Sequence, residues 1–364
     1  MLEQITVHDA TNDLSVQQAV GRAQTLVAEF NEAKETEPVV LEIRPSTQLI
    51  GIDPTVYRQI EAALRSGKRH LLFYGPPGTG KTEIARYVGQ QVNPGTGFVL
   101  LTGSADWTSQ DLIGGYQPIG DGKIGFVPGV LLRNFDRPLI IDELNRCDID
   151  KVLGPLFSVL SKSSTTLPYR TDVSDPTSRQ FVILGEFDPE AESPPYFSPH
   201  NTWRLIATIN TMDKAGLYRM RYALSRRFAW IFVDVPTNLD GFVAEFVGLR
   251  LRVHLAVPVG GFVLSQMWQA VNNLRPLGAA PFIDVINHCL AINPTFDFQI
   301  SPVEETQIEA YVDAFRVHVM PMLDGLMKGD LETLASTILR IVSLDNADDA
   351  RSASFRSQLA SFGL

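Results

Sequence analysis

The chain has 364 residues, of which 45% are hydrophobic and 20% charged, an ordinary globular composition that excludes a disordered or fibrous protein. A net charge of -10 sets it against a general electrostatic grip on nucleic acid or an anionic membrane. Cys147 and Cys289 lack the spacing of a metal site or a disulfide framework and read as reduced thiols, which makes the cytoplasm the expected location. No leader or membrane span is expected, because the first twenty residues hold no Lys or Arg and no apolar run is long enough to cross a bilayer.

Along the chain, Val16, Val20, Ala23, Val27 and Phe30 fall at helical spacing, and residues 39–45 (VVLEIRP) read as a strand, so residues 1–48 form a small appendage. Asp53 and Pro54 then mark a turn into a helix that carries Val56, Ile60 and Leu64 on one face. From 70 to 235 short apolar strands (HLLFY, FVLLTG, PLIIDE, WRLIATIN, WIFVDV) alternate with helical or loop segments. This is the pattern of a doubly wound parallel α/β sheet, assigned to residues 49–236. Two Gly/Pro/Ser-rich stretches, 102–130 and 161–202, read as long loops. Beyond Pro236 the strand signal stops. Helical patterns at 261–274, 281–291, 303–319 and 330–343 make residues 237–364 an all-helical second domain.

The chemistry concentrates in two segments. GPPGTGKT, from Gly75 through Pro76, Pro77, Gly78, Thr79, Gly80 and Lys81 to Thr82, follows a strand and opens a helix, the context of a Walker A loop. Its glycines let successive backbone N–H groups turn toward phosphate oxygens, and the helix adds its positive dipole end. Lys81 is placed to reach the β- and γ-phosphates, and Thr82 to hold Mg²⁺. PLIIDE (138–143) is an apolar strand ending in two carboxylates. Asp142 suits the Mg²⁺ shell and Glu143 the base that deprotonates an attacking water. The stretch LIATINTMDK (205–214) allows two readings: N-T-x-D as a guanine reader, or Asn210 as a polar side chain offered to a γ-phosphate.

Taken with DLIGGYQP (111–118), GFVPGVLLRNF (125–135), IDELNRCDID (141–150) and ALSRRF (223–228), the chain resembles the AAA+ ATPases, in the branch of MoxR, dynein-type and midasin modules and the McrB motor. The resemblance covers about 49–235. It implies that Asn210 is the sensor beside the γ-phosphate and that Asp213 caps the next turn. It also implies that Arg227, with Arg226 as second choice, is an arginine finger reaching a neighbour's site in a ring-like homo-oligomer, a hexamer. ATP is the implied nucleotide, with GTP open because McrB uses it beside a similar N-T-x-D. Nucleotide choice then falls to the backbone near Ile50, Ile52 and Asp53.

Two departures from the family pattern stand out. Arg221 replaces an Asp of McrB-like sequences, and Phe282 in GAAPF (278–282) occupies the place of the lid arginine, for which Arg275 is a stand-in. Trp107, Tyr116, Lys123 and Phe126 either grip a substrate in a pore or pack the insert on its own domain. The resemblance implies remodelling of a partner protein, such as one with a von Willebrand A domain. The alternative is an McrB-like motor for a nuclease subunit. No sequence-specific nucleic-acid contact is expected.

Overall fold

Five parallel strands in the order β10-β1-β9-β5-β2 form the central sheet: β1 (His70–Gly75), β2 (Val99–Thr102), β5 (Leu139–Asp142), β9 (Leu205–Asn210) and β10 (Phe228–Phe232). The structure is a computed structural model that describes residues 42–120, 122–191, 194–211, 224–299, 304–346 and 349–364. All of these fall in one compact unit, Glu42–Leu364. The helix expected at 14–34, most of the strand expected at 39–45, and Asp213 and Arg221 lie outside the described residues; residues 42–45 are irregular rather than extended in a sheet.

The central strands are near-continuous apolar runs because they are covered on both faces. Helix α2 (Lys81–Val92) packs across β1, β5 and β9, while α1 (Pro54–Arg65) packs against β10 and buries Val56, Tyr57 and Ile60. On the other side Leu72, Leu139, Ile141, Leu205, Ala207 and Ile209 meet Val152, Leu153 and Leu156, which lie in and after the short helix α4 (Ile149–Leu153).

The two stretches read as long loops are folded. The first holds the short helix α3 (Ser109–Leu112) and a hairpin, β3 (Gly114–Gly120) with β4 (Lys123–Pro128). The second holds a three-stranded sheet, β6 (Thr165–Arg170), β7 (Gln180–Ile183) and β8 (Tyr196–Phe197). Aromatic rings join the two inserts: Phe126 stacks on Tyr169 with centroids 4.9 Å apart and lies 4.7 Å from Phe181. The Tyr116 hydroxyl accepts the backbone N–H of Arg170 at 2.7 Å. Of the residues weighed for a pore, Tyr116 and Phe126 are therefore packing residues.

Beyond β10 the chain is helical: α5 (Leu239–Leu251), α6 (Val263–Asn272), α7 (Ala280–Ile292), α8 (Glu305–His318), α9 (Lys328–Ile341) and α10 (Ala350–Ala360). These share a core built on Phe262, Trp268, Phe282, Phe315 and Phe355. No helix among the described residues is long and apolar enough to cross a membrane.

One buried titratable group makes folding pH-sensitive. His70 is 1% exposed, its Nδ1 accepts the N–H of Leu205 at 3.0 Å, and its ring packs on Trp203 and Phe228. Burial, reinforced by Arg69 and Arg204, holds its pKa well below the ordinary value. The unfolded chain therefore binds more protons at acid pH, and stability is lost as pH falls below about 6.5, by up to ~1.4 kcal/mol per unit for one proton. Thermal melts of the parent between neutral pH and pH near 5 should show this slope, and His70→Gln, which keeps an acceptor without titrating, should flatten it. Parallel slopes for the two proteins would show that His70 is not the group responsible.

Candidate active site

A cleft of about 440 Å³ opens between the C-terminal ends of the central strands and the helical region, a size suited to a nucleotide-scale ligand. At one end lie Gly78, Thr79, Gly80, Lys81, Thr82, Asp142, Glu143, Thr208 and Asn210. At the other lie Gln48, Leu49, Ile50, Ile52, Phe242, Phe246 and Ile283. The polar end comes from one physical arrangement: β1, β5 and β9 are adjacent and parallel, so the residues that end them emerge side by side.

Lys81 opens α2 and is 6% exposed. Its ammonium donates to the carbonyls of Pro76 at 2.5 Å and Gly75 at 3.2 Å. Burial pushes its pKa down to about 8 against the opposing pull of Asp142 and Glu143. Gly75, Pro76 and Pro77 thus act from beneath the loop, through carbonyls, and do not line the cleft. Thr82 Oγ1 donates to Asp142 Oδ1 at 2.7 Å, and Thr208 Oγ1 donates to the same oxygen at 2.5 Å. A hydroxyl and a carboxylate converging at the phosphate end are hard oxygen donors, and they fit a Mg²⁺ ion.

Glu143 adopts a left-handed backbone (φ 52°), a conformation that costs a non-glycine residue roughly 1 kcal/mol or more. Its N–H donates to Thr208 Oγ1 at 3.0 Å, so one threonine hydroxyl fixes both Asp142 and the turn that aims Glu143. Asn210 Nδ2 donates to Glu143 Oε1 at 3.2 Å, and Arg146 Nε pairs with Oε2 at 2.7 Å.

Thr208 and Arg146 are the functional residues that sequence reasoning missed. Arg146 stands three residues after Glu143, in the quoted DELNR; Thr208 is one polar letter inside an apolar strand. Both oxygens of Glu143 are occupied, and the Arg146 pair is a partly exposed one worth up to about 1 kcal/mol. Arg146→Ala should therefore raise basal phosphate release at saturating nucleotide by up to about fivefold. A rate that falls instead would mean that Arg146 orients Glu143 rather than restrains it.

Other expected residues lie apart from the cleft. Asp53 accepts the Thr55 N–H at 2.7 Å as the N-cap of α1, and its hydrogen bonds from Thr55 hold its carboxyl below the usual range; it is a capping residue, while Ile52 reaches the cleft. Arg275, the stand-in for a lid arginine, donates from Nη1 to the carbonyls of Met322 and Asp324, both at 2.8 Å, and does not line the cleft. Phe282 is fully buried and stacks on Trp268 at 4.6 Å, so that position serves the lid core.

The lid instead meets the phosphate loop through backbone. Gly278 N–H donates to Pro77 C=O at 2.9 Å, and Ala280 N–H to Gly78 C=O at 3.1 Å. A Cβ on Gly278 would stand 2.2 Å from the Gly78 carbonyl carbon, an approach only glycine permits. Arg227 Nε donates to Phe157 C=O at 2.9 Å with its guanidinium 4.6 Å over the Phe157 ring; Arg226 is exposed. Both lie at the opposite, N-terminal end of β10, away from their own chain's cleft.

Residues 70–228 match the family model described as the AAA domain, dynein-related subfamily. Stretches of 73 and 68 residues are 33% and 40% identical to the Holliday junction branch migration complex subunit RuvB of Phytoplasma mali (strain AT) and of Chlamydia pneumoniae. These stretches are 20% and 18% of this chain and 21% and 20% of the relatives, so the chain spans about a fifth of the length of the curated relatives it matches. Among solved structures, the Thermotoga maritima RuvB Holliday junction branch migration motor is similar over 84% of this chain and 81% of its own, at 15% identity and a TM-score of 0.40. Over residues 70–228 the family match, the parallel sheet and the phosphate-loop geometry agree on an AAA+ nucleotide-binding fold.

Proposed function

We propose that the chain is a Mg²⁺-dependent, MoxR-like AAA+ ATPase that works as a head-to-tail homo-oligomer and uses hydrolysis to remodel a partner protein. The observation that carries this reading is the linked set Thr82, Asp142, Thr208, Glu143 and Asn210 around the buried Lys81. Lys81 is placed to give up its loop carbonyls for phosphate oxygens. Thr82 and Asp142 would hold Mg²⁺, which supplies charge neutralisation on the phosphates when bound. Glu143 accepts the proton of the attacking water, and Asn210 orients both.

Two observations refine the proposal. Beyond Gln48, the far end of the cleft is apolar, lined by Leu49, Ile50, Ile52, Phe242, Phe246 and Ile283. A guanine base needs an acceptor for its N1–H and N2–H₂ donors, so the apolar end favours adenine. The net charge of -10 favours a protein partner, such as one with a von Willebrand A domain, over a nucleic acid. Because Arg227 is engaged with Phe157 and Arg226 is exposed, we assign the reach into a neighbour to Arg226 and the support of that turn to Arg227.

The test is steady-state hydrolysis of ATP against GTP with Mg²⁺, over a range of protein concentrations. An ATP preference with specific activity that rises as the protein assembles is the expected result. A clear GTP preference would replace this reading with that of an McrB-like motor serving a nuclease subunit.

A further inference from the structure

The N-terminal ends of three neighbouring strands carry a row of cations that the nucleotide cleft does not use. The register pairs His70 with Phe228 and Leu71 with Ile206. One residue upstream, Arg69 therefore lies between Arg204 and Arg227, with Lys68 beside Arg226, and adjacent strands are only ~4.8 Å apart. The partners of these side chains are mostly carbonyls. Lys68 Nζ donates to Arg226 C=O at 2.7 Å, Arg69 to Gly185 C=O at 3.3 Å, and Arg204 to the carbonyls of Asn201 and Trp203 at 2.6 and 2.8 Å.

Counter-charge is missing at the centre of the row. Among the described residues neither Arg69 nor Arg204 forms an ion pair, whereas Arg137, just before the next strand, has Asp136. Glu186, whose field reaches Arg69, is 61% exposed and paired with Lys162 at 3.5 Å. Arg204 Nε is shielded from solvent without a partner, and burial together with Arg69 pushes the Arg204 pKa down to about 10. Two adjacent half-buried guanidinium groups repel each other and lose hydration, a cost that an arriving anion would offset.

We infer that Arg69 and Arg204 extend the cationic strand edge of Arg226 and Arg227 into a docking surface for carboxylates of a second copy of this chain, packed head to tail. The inference rests on the assembly proposed above. The two ends of one sheet are electrostatically unlike: the N-terminal ends of β10, β1 and β9 carry Lys68, Arg69, Arg204, Arg226 and Arg227, whereas the C-terminal ends combine Asp142, Glu143 and the exposed Asp234 with the buried Lys81 and with Arg146, which Glu143 already pairs. Unlike ends on one molecule pair heterologously and propagate in one direction. With 41 acidic against 31 basic residues, a second copy has acid in excess to present.

The test compares the full-length parent with Arg69→Gln, Arg204→Gln, Arg204→Lys and the double Gln variant. Self-association is followed by sedimentation velocity with a non-hydrolysable ATP analogue, at low and high ionic strength. A fluorescent nucleotide titration and a melting curve check each variant's own cleft and fold. The double Gln variant should bind nucleotide and melt like the parent yet associate about tenfold or more weakly. Arg204→Lys should keep most of the association, and the parent's association should weaken with salt. Should the double variant fail to fold, Arg69→Gln alone should still show a loss of about fivefold.

A folded double variant, or Arg69→Gln in its place, that associates like the parent overturns the inference and leaves the assembly intact. A parent that stays monomeric throughout overturns both. Binding of a duplex DNA oligonucleotide that depends on Arg69 and Arg204 would overturn the inference in favour of a nucleic-acid backbone.

Discussion

Replacing Glu143 by Gln is expected to cut steady-state phosphate release by about 10²- to 10⁴-fold, the usual worth of a positioned general base, while nucleotide still binds. The geometry explains why the two effects should separate. Lys81 and Thr82, the proposed phosphate and Mg²⁺ contacts, bond to the carbonyls of Gly75 and Pro76 and to Asp142, whereas the contacts of Glu143 run to Thr208, Asn210 and Arg146. The amide keeps the shape and can still pair with Asn210 but cannot take a proton. Single-turnover hydrolysis and a nucleotide titration on the same preparation check both halves. A Glu143→Gln protein that turns over at the parent's rate would remove the proposed mechanism, whatever its affinity.

Replacing Arg226 by Ala is expected to have an effect as large, about 10³- to 10⁵-fold on hydrolysis in the assembled protein, because a guanidinium offered from a neighbouring copy offsets charge on the transferring phosphoryl group. Arg226 sits at the strand end opposite its own cleft, so the loss should be rescued in trans. Mixing Arg226→Ala with Glu143→Gln, each inactive alone, should restore part of the rate. Arg227→Ala should act differently, lowering the melting temperature through loss of its bond to Phe157 and its contact over that ring. If Arg227→Ala proves the rescuable variant, the two roles are exchanged.

What could be read from the letters follows from what each feature needs. The phosphate loop and the strand ends at Asp142, Glu143 and Asn210 depend on residue type at short spacing, so they were legible. The helix Leu239–Leu251 was not, because Phe242, Val243 and Val247 are buried beside apolar residues all around the helix and leave no polar stripe. The inserts looked like loops because their order comes from rings far apart in sequence, Tyr116 and Phe126 against Tyr169, Phe181 and Phe197. Within the site, Thr208 acts through its hydroxyl in an otherwise apolar strand, and Asp53 carries a carboxylate that helix capping claims first.

The backbone hydrogen bonds from Gly278 and Ala280 to the phosphate loop carry a consequence for how such a protein diverges. A side-chain sensor is visible as a letter and can be lost by one substitution, whereas a hinge tied by main-chain groups is blind to nearly every substitution except one that adds a Cβ at Gly278. The helical region can therefore drift widely in surface and core while loop and lid still move as one lever, so relatives that share this mechanical linkage can lack any recognisable lid signature.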